Sequence, residues 1–415
     1  MVRVLHTADW HLGRMLHGQR RLSESASFLQ WLLALIRSES IEVLLVSGDI
    51  FDSVTPGTRV LEMYHAFLAE VWKSDCQHVV ITGGNHDSPS LLESSAAILK
   101  HLDFHVVGSA RENPADEILV LDDDSKKPVL IVAAVPYLRD QDIRKSTADE
   151  SLEDKDRQLL EGIAGHYRAV AKSASMLNMS IAVPLPIICM GHLFVTGGQL
   201  KTETGDGVRD LYVGSIGQVT ADIFPSEFDY VALGHLHIPH AVGGQDHIRY
   251  SGSPIPMGFG EAGQEKVVYM IDFIGTKPCV QSRSIPCFQS LEQIVGDWNA
   301  IQARLNELVL AKSSAWLEII YTGNELIVDL EDRAEKAVAK SDMKILKVIN
   351  RQLLNASLDQ TSLVEKLEDL SPEDVFQRRI ELALKMEEIS VAQQTELMEA
   401  YNEILFGLEN SEADL

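Results

Sequence analysis

The sequence has no long hydrophobic run. Within its 415 residues, no stretch reaches the roughly 18 consecutive apolar residues that a membrane-spanning helix needs. The first residues, MVRVLHTADW, also lack the charged segment followed by an apolar segment that marks a secretory signal peptide. These two absences argue against a membrane protein and against a secreted one, so we expect a cytoplasmic protein with no membrane partner.

Cysteine is scarce as well, with four residues in the chain. Cys76, Cys189, Cys279 and Cys287 form no CxxC pair and no regular spacing, so the signatures of a thiolate zinc site and of a disulfide framework are both missing. This pattern suits a reducing compartment. The hydrophobic fraction of 45%, with only 14 prolines, is typical of a folded globular protein.

Positive charge is in short supply. The chain has 36 lysines and arginines against 61 acidic residues, a net charge of −25, and residues 361–415 alone hold fourteen acidic residues against four basic ones. Non-specific affinity for DNA comes mostly from basic side chains that neutralise phosphates. A nucleic-acid enzyme of this charge would not grip DNA well alone. Either the substrate is not a polymer, or bound metals and a partner protein supply the positive field.

The first 275 residues repeat one pattern, in which an apolar, β-branched run ends in a polar, glycine-containing loop. Helical patterns of apolar residues separate the first three runs, which favours an α/β domain whose strands are buried on both faces. In such sheets, functional groups gather beyond the carboxyl ends of the strands. The runs are Val2–Leu5 before HTADWHLG, Val43–Ser47 before GDIFD, Val79–Thr82 before GGNHD, Ile187–Met190 before GHLF and Tyr230–Leu233 before GHLH.

The pattern changes in the second half of the chain. After residue 205 strand-like runs dominate, and residues 279–355 predict a small α+β unit with helices at Leu291–Leu310 and Asp329–Ala339. From Ser371, a helix N-cap followed by proline, the chain has apolar stripes at helical spacing. We therefore predict domains at 1–277 and 278–355 and a helical region at 356–415.

The polar loops carry the side chains of a metal site. Imidazole, carboxylate and amide oxygen form a ligand set suited to Mn²⁺, Fe²⁺ or Zn²⁺, and no thiolate takes part. Any one of these residues alone would more often be an ordinary core or surface residue, but the whole set at strand ends is hard to obtain by accident. The candidate metal ligands are Asp9, His11, Asp49, Asn85, His192, His235 and His237, and the candidate catalytic residues are His86 and Asp87.

The spacing of these residues favours a two-metal centre. Asp9 and His11 lie two residues apart, so in extended backbone they project to the same side, and His235 and His237 do likewise. A carboxylate such as Asp49 can bridge two cations about 3.5–4 Å apart, which together catalyse an in-line phosphoryl displacement. Glycines at 48, 84, 191 and 234 directly precede proposed ligands and let the chain turn closely around the ions.

Two further sets of residues have weaker assignments. His86 is placed to protonate the leaving oxygen or to hold the phosphate, with Asp87 orienting its ring. Asp52 is either a support for the metal ligands or a helix cap. The basic residues Arg14, Arg20, Lys201 and Arg209 are candidate DNA phosphate contacts, although such residues more often form a solvated face.

The motifs D-x-H, G-D-x-x-D, G-N-H-D, G-H and G-H-x-H match, in order, those of the calcineurin-like metallophosphoesterases. Within that superfamily the chain resembles the SbcD family of nuclease subunits, the bacterial counterpart of the Mre-type nucleases. The resemblance covers nearly the whole chain. It rests on LHTADWHLGR at 5–14, VSGDIFDSVTP at 46–56, GGNHDS at 83–88, VPYLRDQDI at 135–143, ICMGHL at 188–193, YVALGHLH at 230–237, RYSGSPIPMGF at 249–259 and SPEDVFQRRI at 371–380.

This resemblance implies an α/β/β/α sandwich followed by a capping domain and by C-terminal helices that dock on a coiled-coil ATPase of the SbcC type. It implies two metal ions, usually Mn²⁺, and cleavage of DNA at duplex ends and in single strands or hairpins. It also implies two nuclease subunits within a heterotetramer that repairs DNA. One ion would be held by Asp9, His11, Asp49 and His237, the other by Asp49, Asn85, His192 and His235, with His86 as the catalytic histidine.

Two other functions remain open from the motifs. The same metal site serves enzymes that act on a small phosphodiester, a nucleotide or a phosphoprotein. The region beyond residue 275 argues against these, because a small-molecule phosphatase would not require it. A catalytically silent scaffold would be expected to have lost a ligand, and none is missing.

Overall fold

The computed structural model describes residues 2–143, 151–195, 219–325 and 327–350. The helices are α1 Leu22–Ser38, α2 Thr58–Trp72, α3 Pro89–Glu93, α4 Ala96–Leu99, α5 Asp140–Ile143, α6 Leu152–Met179, α7 Trp298–Leu310 and α8 Leu330–Val338. The strands are β1 Arg3–Thr7, β2 Met15–Leu16, β3 Gln19–Arg20, β4 Val43–Ser47, β5 His78–Thr82, β6 Phe104–Val107, β7 Ile118–Asp122, β8 Pro128–Ala134, β9 Ile187–His192, β10 Tyr230–Gly234, β11 His240–Val242, β12 Gln245–Tyr250, β13 Val267–Ile274, β14 Lys277–Ser284, β15 Leu291–Gly296, β16 Trp316–Tyr321 and β17 Lys344–Asn350.

Two six-stranded sheets form the centre of the fold. The first has the order β14-β13-β1-β4-β5-β6, and its strands β1, β4, β5 and β6 run parallel. The second has the order β11-β12-β10-β9-β8-β7, and its strands β12, β10, β9 and β8 run parallel. Strands such as β4 and β5 are buried at every residue, as their continuous apolar runs predict.

The two sheets pack face to face and carry helices on their outer faces. Val43 and Leu45 of β4 belong to the same buried cluster as Ile188 and Met190 of β9, which places that cluster between the sheets. The outer face of the first sheet packs against α1 and α2, and that of the second sheet packs against α6. This arrangement is an α/β/β/α sandwich, so the predicted fold class is confirmed.

A small third sheet follows the sandwich. Its strands β15, β16 and β17 are parallel and pack with α7 and α8 around a separate hydrophobic cluster. The prediction of one helix from Leu291 to Leu310 is wrong, because β15 occupies its first six residues. Leu291 and Ile294 have helical spacing but are buried in two different clusters. The helix begins only after Asp297, whose side chain caps it by accepting a hydrogen bond from Ala300 N at 2.8 Å.

One predicted domain limit falls inside the first sheet, and the predicted C-terminal region lies outside the described residues. The limit at 277/278 lies at the first residue of β14, which pairs with β13 from Lys277 to Ser284, so the first sheet continues past it. The division into three domains stays a prediction. The helical region predicted at 356–415 lies outside the described residues. Among the residues that are described, no helix is both long and apolar enough to cross a membrane.

Candidate metal centre

Five loops bring the predicted ligands together at one edge of the sandwich. In the first sheet, Asp9 and His11 follow β1, Asp49 follows β4 and Asn85 follows β5. In the second sheet, His192 ends β9, and His235 and His237 follow β10. These are carboxyl ends of parallel strands, where polar groups of an α/β sheet are expected to gather.

The backbones of these loops are tied to one another. Asp9 N donates to Gly48 O at 3.1 Å, and His11 N donates to Asp49 O at 2.9 Å, so the loop after β1 is fixed against the loop after β4. His235 N donates to Asp9 Oδ1 at 2.8 Å, which joins the second sheet to the first. The loops that carry the ligands are thus fixed to one another by two backbone–backbone hydrogen bonds and by one hydrogen bond to the Asp9 carboxylate.

Four proposed ligands have left-handed backbone conformations. The φ angles of Asp9, His11, Asp49 and His235 are 52°, 43°, 51° and 100°. Such conformations cost a non-glycine residue about 1–3 kcal/mol each and concentrate at functional sites. Aspartate and histidine tolerate this region better than most residues. The strain therefore lies where the ligands must point inward.

Two of the glycines provide space that no other residue would leave. A Cβ on Gly84 would collide with the backbone and carboxylate of Asp49, and a Cβ on Gly234 would collide with the carbonyl oxygen of Ser47. Both glycines precede proposed ligands. Any side chain at these positions would separate the loops that form the centre.

Asp9, His11 and His237 form one half of the centre, which we call the carboxylate half. His11 Nε2 lies 3.2 Å from His237 Nε2, so two ring nitrogens face each other. Asp9 is fully buried, and its Oδ2 atom makes no hydrogen bond to any described residue. A buried carboxylate oxygen without a donor is costly unless a cation occupies the adjacent space.

Asn85, His192 and His235 form the other half, which we call the amide half. The Asn85 Oδ1 atom lies 3.0 Å from His192 Nε2 and 3.0 Å from His235 Nδ1. Asp49 lies between the two halves, because its Oδ2 atom is 3.5 Å from His11 Nε2 and 3.4 Å from His192 Nε2. One carboxylate oxygen thus faces ligands of both halves.

These separations fit metal coordination. Ligand atoms that bind one small divalent ion at about 2.1 Å and at right angles lie roughly 3 Å from each other. The donor pairs in both halves have this spacing, and the atoms are the nitrogen and oxygen donors that divalent transition metals prefer. The unpaired Asp9 oxygen supports the same conclusion.

Comparison with known proteins identifies the family of this chain. Residues 2–239 match the calcineurin-like phosphoesterase family, and residues 287–383 match the SbcD_C family, described as the type 5 capsule protein repressor C-terminal domain. The SbcD subunit of the nuclease SbcCD from Escherichia coli strain K12 is 33% identical over 410 residues, which cover 98% of each chain.

The chain belongs to the SbcD family. Proteins of the same name from Rhodobacter capsulatus and Bacillus subtilis are 34% and 32% identical over 282 and 280 residues, and those matches cover 66% and 65% of this chain. The metallophosphoesterase fold and the clustered ligands together support a centre for two divalent metal ions.

Burial and charge shift the titration of this SbcD-family centre in the absence of metal. Burial lowers the pKa of His11 to about 4 and that of His235 to about 3, so both rings are neutral near pH 7. Burial also raises the pKa of Asp9 to about 7. For His192, burial lowers the pKa, but the Asp49 carboxylate outweighs it and raises the pKa to about 9. The pKa of Asp49 falls below its usual range because His192 and His11 outweigh its burial.

His86 lies beside the centre, but its ring partner differs from the predicted one. His86 Nδ1 lies 3.1 Å from the carbonyl oxygen of Asp52, which can only accept, so Nδ1 carries a proton and Nε2 is left for other chemistry. The Asp87 carboxylate instead accepts from the backbone N–H groups of Gly84, Ile50 and Phe51 at 2.8–3.1 Å. Asp87 therefore joins two loops, and the expectation that it orients the His86 ring is corrected.

Asp52 supports the ligands and does not cap a helix. Its Oδ1 atom lies 3.3 Å from His11 Nδ1 and accepts from Arg14 at 2.9 Å, whereas helix α2 begins only at Thr58, after Gly57. Arg14, a predicted DNA contact, is thus engaged inside the loop cluster. Arg20 is exposed on β3, and the predicted contacts Lys201 and Arg209 lie outside the described residues.

Two charged residues near the centre were not predicted from the sequence. Glu261 and Lys266 form a largely buried ion pair beside His237, with Lys266 Nζ 2.5 Å from Glu261 Oε2. Burial raises the pKa of Glu261, but His237 and Lys266 outweigh it and lower the pKa to about 2. The motif RYSGSPIPMGF ends at residue 259, two residues before Glu261. This short distance was the only feature of the sequence that could have drawn attention to Glu261.

Proposed function

We propose that this chain is the catalytic subunit of a DNA nuclease, hydrolysing phosphodiester bonds at a centre of two divalent metal ions. The observation that carries the proposal is the convergence of seven ligand side chains from five strand ends, with Asp49 between the other six. The relative from Escherichia coli that matches along 98% of both chains is named a nuclease subunit, which supports DNA as the substrate.

Each half of the centre is assigned one ion, with Asp49 shared. The carboxylate half would hold the first ion through Asp9, His11, Asp49 and His237, and the amide half would hold the second through Asp49, Asn85, His192 and His235. The ligand types and the family support Mn²⁺. When bound, two such ions stabilise the charge that develops during phosphodiester hydrolysis and make water a better nucleophile.

The charge of the ligand set favours an anionic substrate. Two carboxylates, Asp9 and Asp49, would face two divalent cations, and the remaining ligands would be neutral in their metal-bound form. The centre therefore keeps an excess of positive charge for a phosphodiester, although the chain as a whole carries −25. This local field resolves part of the conflict between an acidic chain and an acidic polymer.

His86 is proposed as the general acid. Its Nδ1 proton is held by the Asp52 carbonyl oxygen, so Nε2 is free to carry a second proton to the leaving oxygen. Asp87 fixes the loop on which His86 stands, since its carboxylate binds backbone N–H groups of two loops. Asp49 Oδ1 also accepts from His86 N at 2.9 Å, which ties the acid to the bridging ligand.

Cleavage of linear DNA tests this function. Purified full-length protein with Mn²⁺ and labelled duplex DNA, with and without its ATPase partner, is expected to cleave DNA. His86→Ala should lower the rate by about 10²–10⁴-fold, the usual contribution of a general acid, without losing metal. His101→Ala, an exposed histidine on a 3₁₀ turn, is the matched control. A wild-type protein that leaves DNA intact but cleaves small phosphodiesters would favour the alternative, a small-molecule metallophosphoesterase.

In the proposed complex, a partner protein supplies much of the basic DNA-binding surface that this acidic chain lacks. We assign an SbcC-type coiled-coil ATPase as partner, bound by the acidic region 356–415, with two nuclease subunits in a heterotetramer and with Arg20, Lys201 and Arg209 as phosphate contacts. A cytoplasmic location stays part of this proposal. Deleting 371–415 is expected to abolish ATPase binding in a pull-down while metal content and model-phosphodiester cleavage persist. Unchanged partner affinity would refute the docking role.

A further inference from the structure

A buried ion pair lies behind one ligand of the carboxylate half. Glu261 sits on the 3₁₀ turn Phe259–Glu261, and its Oε2 atom accepts from Lys266 Nζ at 2.5 Å and from Met257 N at 3.0 Å. The side chain of Lys266 is only 4% exposed and that of Glu261 is 12% exposed. Because burying two charges costs several kcal/mol per ion, and well-packed apolar residues often stabilise a fold as well or better, packing alone does not explain this pair.

The pair faces the ring nitrogen of His237 that points away from the centre. His237 Nε2 is directed at His11 Nε2, 3.2 Å away, whereas Glu261 Oε1 lies 3.5 Å from His237 Nδ1. His237 Nδ1 is buried and makes no direct hydrogen bond to a described residue. Metal-binding histidines usually donate the N–H opposite the ligating nitrogen to a carboxylate, which fixes the tautomer and ring direction and raises the basicity of the ligand. Glu261 is the carboxylate that lies on that side of His237.

Lys266 also holds the backbone of the same ligand. Its Nζ atom donates to His237 O at 3.0 Å and to Ser253 Oγ at 3.2 Å, and Ser253 N donates to the same His237 carbonyl at 3.1 Å. Lys266 directly precedes β13, which pairs with β1 in the first sheet. The ammonium group thus connects the main chain and the ring partner of His237 to a rigid strand.

We propose that Glu261 and Lys266 are positioning residues for His237, which hold its Nε2 atom in place for the ion of the carboxylate half. The inference rests on the proposed two-metal function and adds to it two residues outside the ligand set. Besides their own ion pair, the side-chain contacts of Glu261 and Lys266 among the described residues go to His237, Ser253 and Met257, and to no ligand of the amide half. Their loss should therefore change the binding of one ion and not of both.

Stepwise Mn²⁺ binding to the full-length protein tests this inference. Isothermal titration of Glu261→Gln should show one of the two dissociation constants raised by about 10–100-fold, the range typical of lost outer partners of metal-bound histidines, with the other unchanged. Glu265→Gln is the matched control, because Glu265 is exposed and bonds Ser284 on β14, away from the centre. An equal loss at both steps, or no loss, overturns the inference.

A charge-balanced variant separates positioning from stability. Glu261→Gln leaves Lys266 buried without its counterion and is expected to lower the Tm of the metal-free protein. The double variant Glu261→Gln/Lys266→Met should recover most of that Tm but keep the raised dissociation constant. Recovery of wild-type Mn²⁺ affinity in the double variant would show that the pair serves only the fold. A wild-type protein that binds fewer than two ions overturns the proposed function itself, and the inference with it.

Discussion

The two halves of the metal centre are built from different chemistry. The carboxylate half has its own buried aspartate, Asp9, in addition to the shared Asp49, whereas the amide half has only the neutral Asn85 beside Asp49. Affinity for divalent ions rises with the number of charged ligands. If the ions bind as proposed, we expect two unequal sites, with the tighter one in the carboxylate half.

The outer partners of the histidines differ in the same way. In the carboxylate half, His11 and His237 have Asp52 and Glu261 beside their second ring nitrogens. In the amide half, His192 Nδ1 lies 2.9 Å from the backbone oxygen of Ser47. A backbone carbonyl survives any substitution, while a side-chain carboxylate does not. On the proposed assignment, we therefore expect the carboxylate half to bind its ion more tightly and to be more sensitive to substitutions outside the ligand set.

Replacing the shared ligand Asp49 should abolish metal binding in both halves of the centre. Asp49→Asn is expected to lose both ions and to lower DNA cleavage by at least about 10³-fold, because the bridging charge that faces His11 and His192 disappears. Metal analysis of the purified variant measures the stoichiometry. Asp75→Asn, an exposed aspartate between α2 and β5, is the control. Retention of one ion would show that Asp49 serves a single half.

The positions of the ligands in this centre could be predicted from the sequence, because they follow the ends of recognisable strands. Each ligand follows an apolar strand-like run, so strand ends and ligand types together located Asp9, Asp49 and His192 at one edge of the sandwich. The structure brings all seven predicted ligands together, although their roles remain proposals. The pattern was sufficient because parallel strands align their carboxyl ends.

Contacts that depend on backbone atoms or distant residues were not predictable. Asp87 is adjacent to His86 in sequence, yet its carboxylate turns toward the loop after β4, and a backbone oxygen binds the ring instead. No residue type signals a carbonyl partner. Glu261 was missed for a related reason, because it is far from His237 in the sequence and comes close to it only in the folded chain. The helix predicted from Leu291 was wrong because a strand that buries residues in two clusters imitates helical spacing.

Raising the pH should narrow the difference in Mn²⁺ affinity between the two halves. Protons compete with metal ions, so a ligand whose pKa is raised weakens binding until the pH exceeds that pKa. The pKa of Asp9 is about 7 and that of His192 about 9 without metal. From pH 7 to pH 8.5 the carboxylate half should gain about twofold in affinity and the amide half about twentyfold.

Anaerobic Mn²⁺ titrations at the two pH values provide the measurement. The sign follows from proton release: metal binding frees a proton from His192 at pH 7, and less of one at pH 8.5, so the affinity of the amide half rises with pH. Equal gains in both halves would contradict the assignment of the raised pKa to the amide half. A fall in affinity with rising pH would contradict proton competition as a whole.

Adding a negative charge to the amide half should reduce the difference in metal affinity between the two halves. Asn85→Asp keeps an oxygen at the position that faces His192 and His235, each 3.0 Å from the amide oxygen, and gives this half a carboxylate of its own. The dissociation constant of the weaker ion is expected to fall by about tenfold, with that of the tighter ion changed little. Asn299→Asp, at an exposed position of α7, controls for the added charge. If the stronger step improves instead, then the half that contains Asn85 is the tighter one, and ligand charge does not set the order of the two sites.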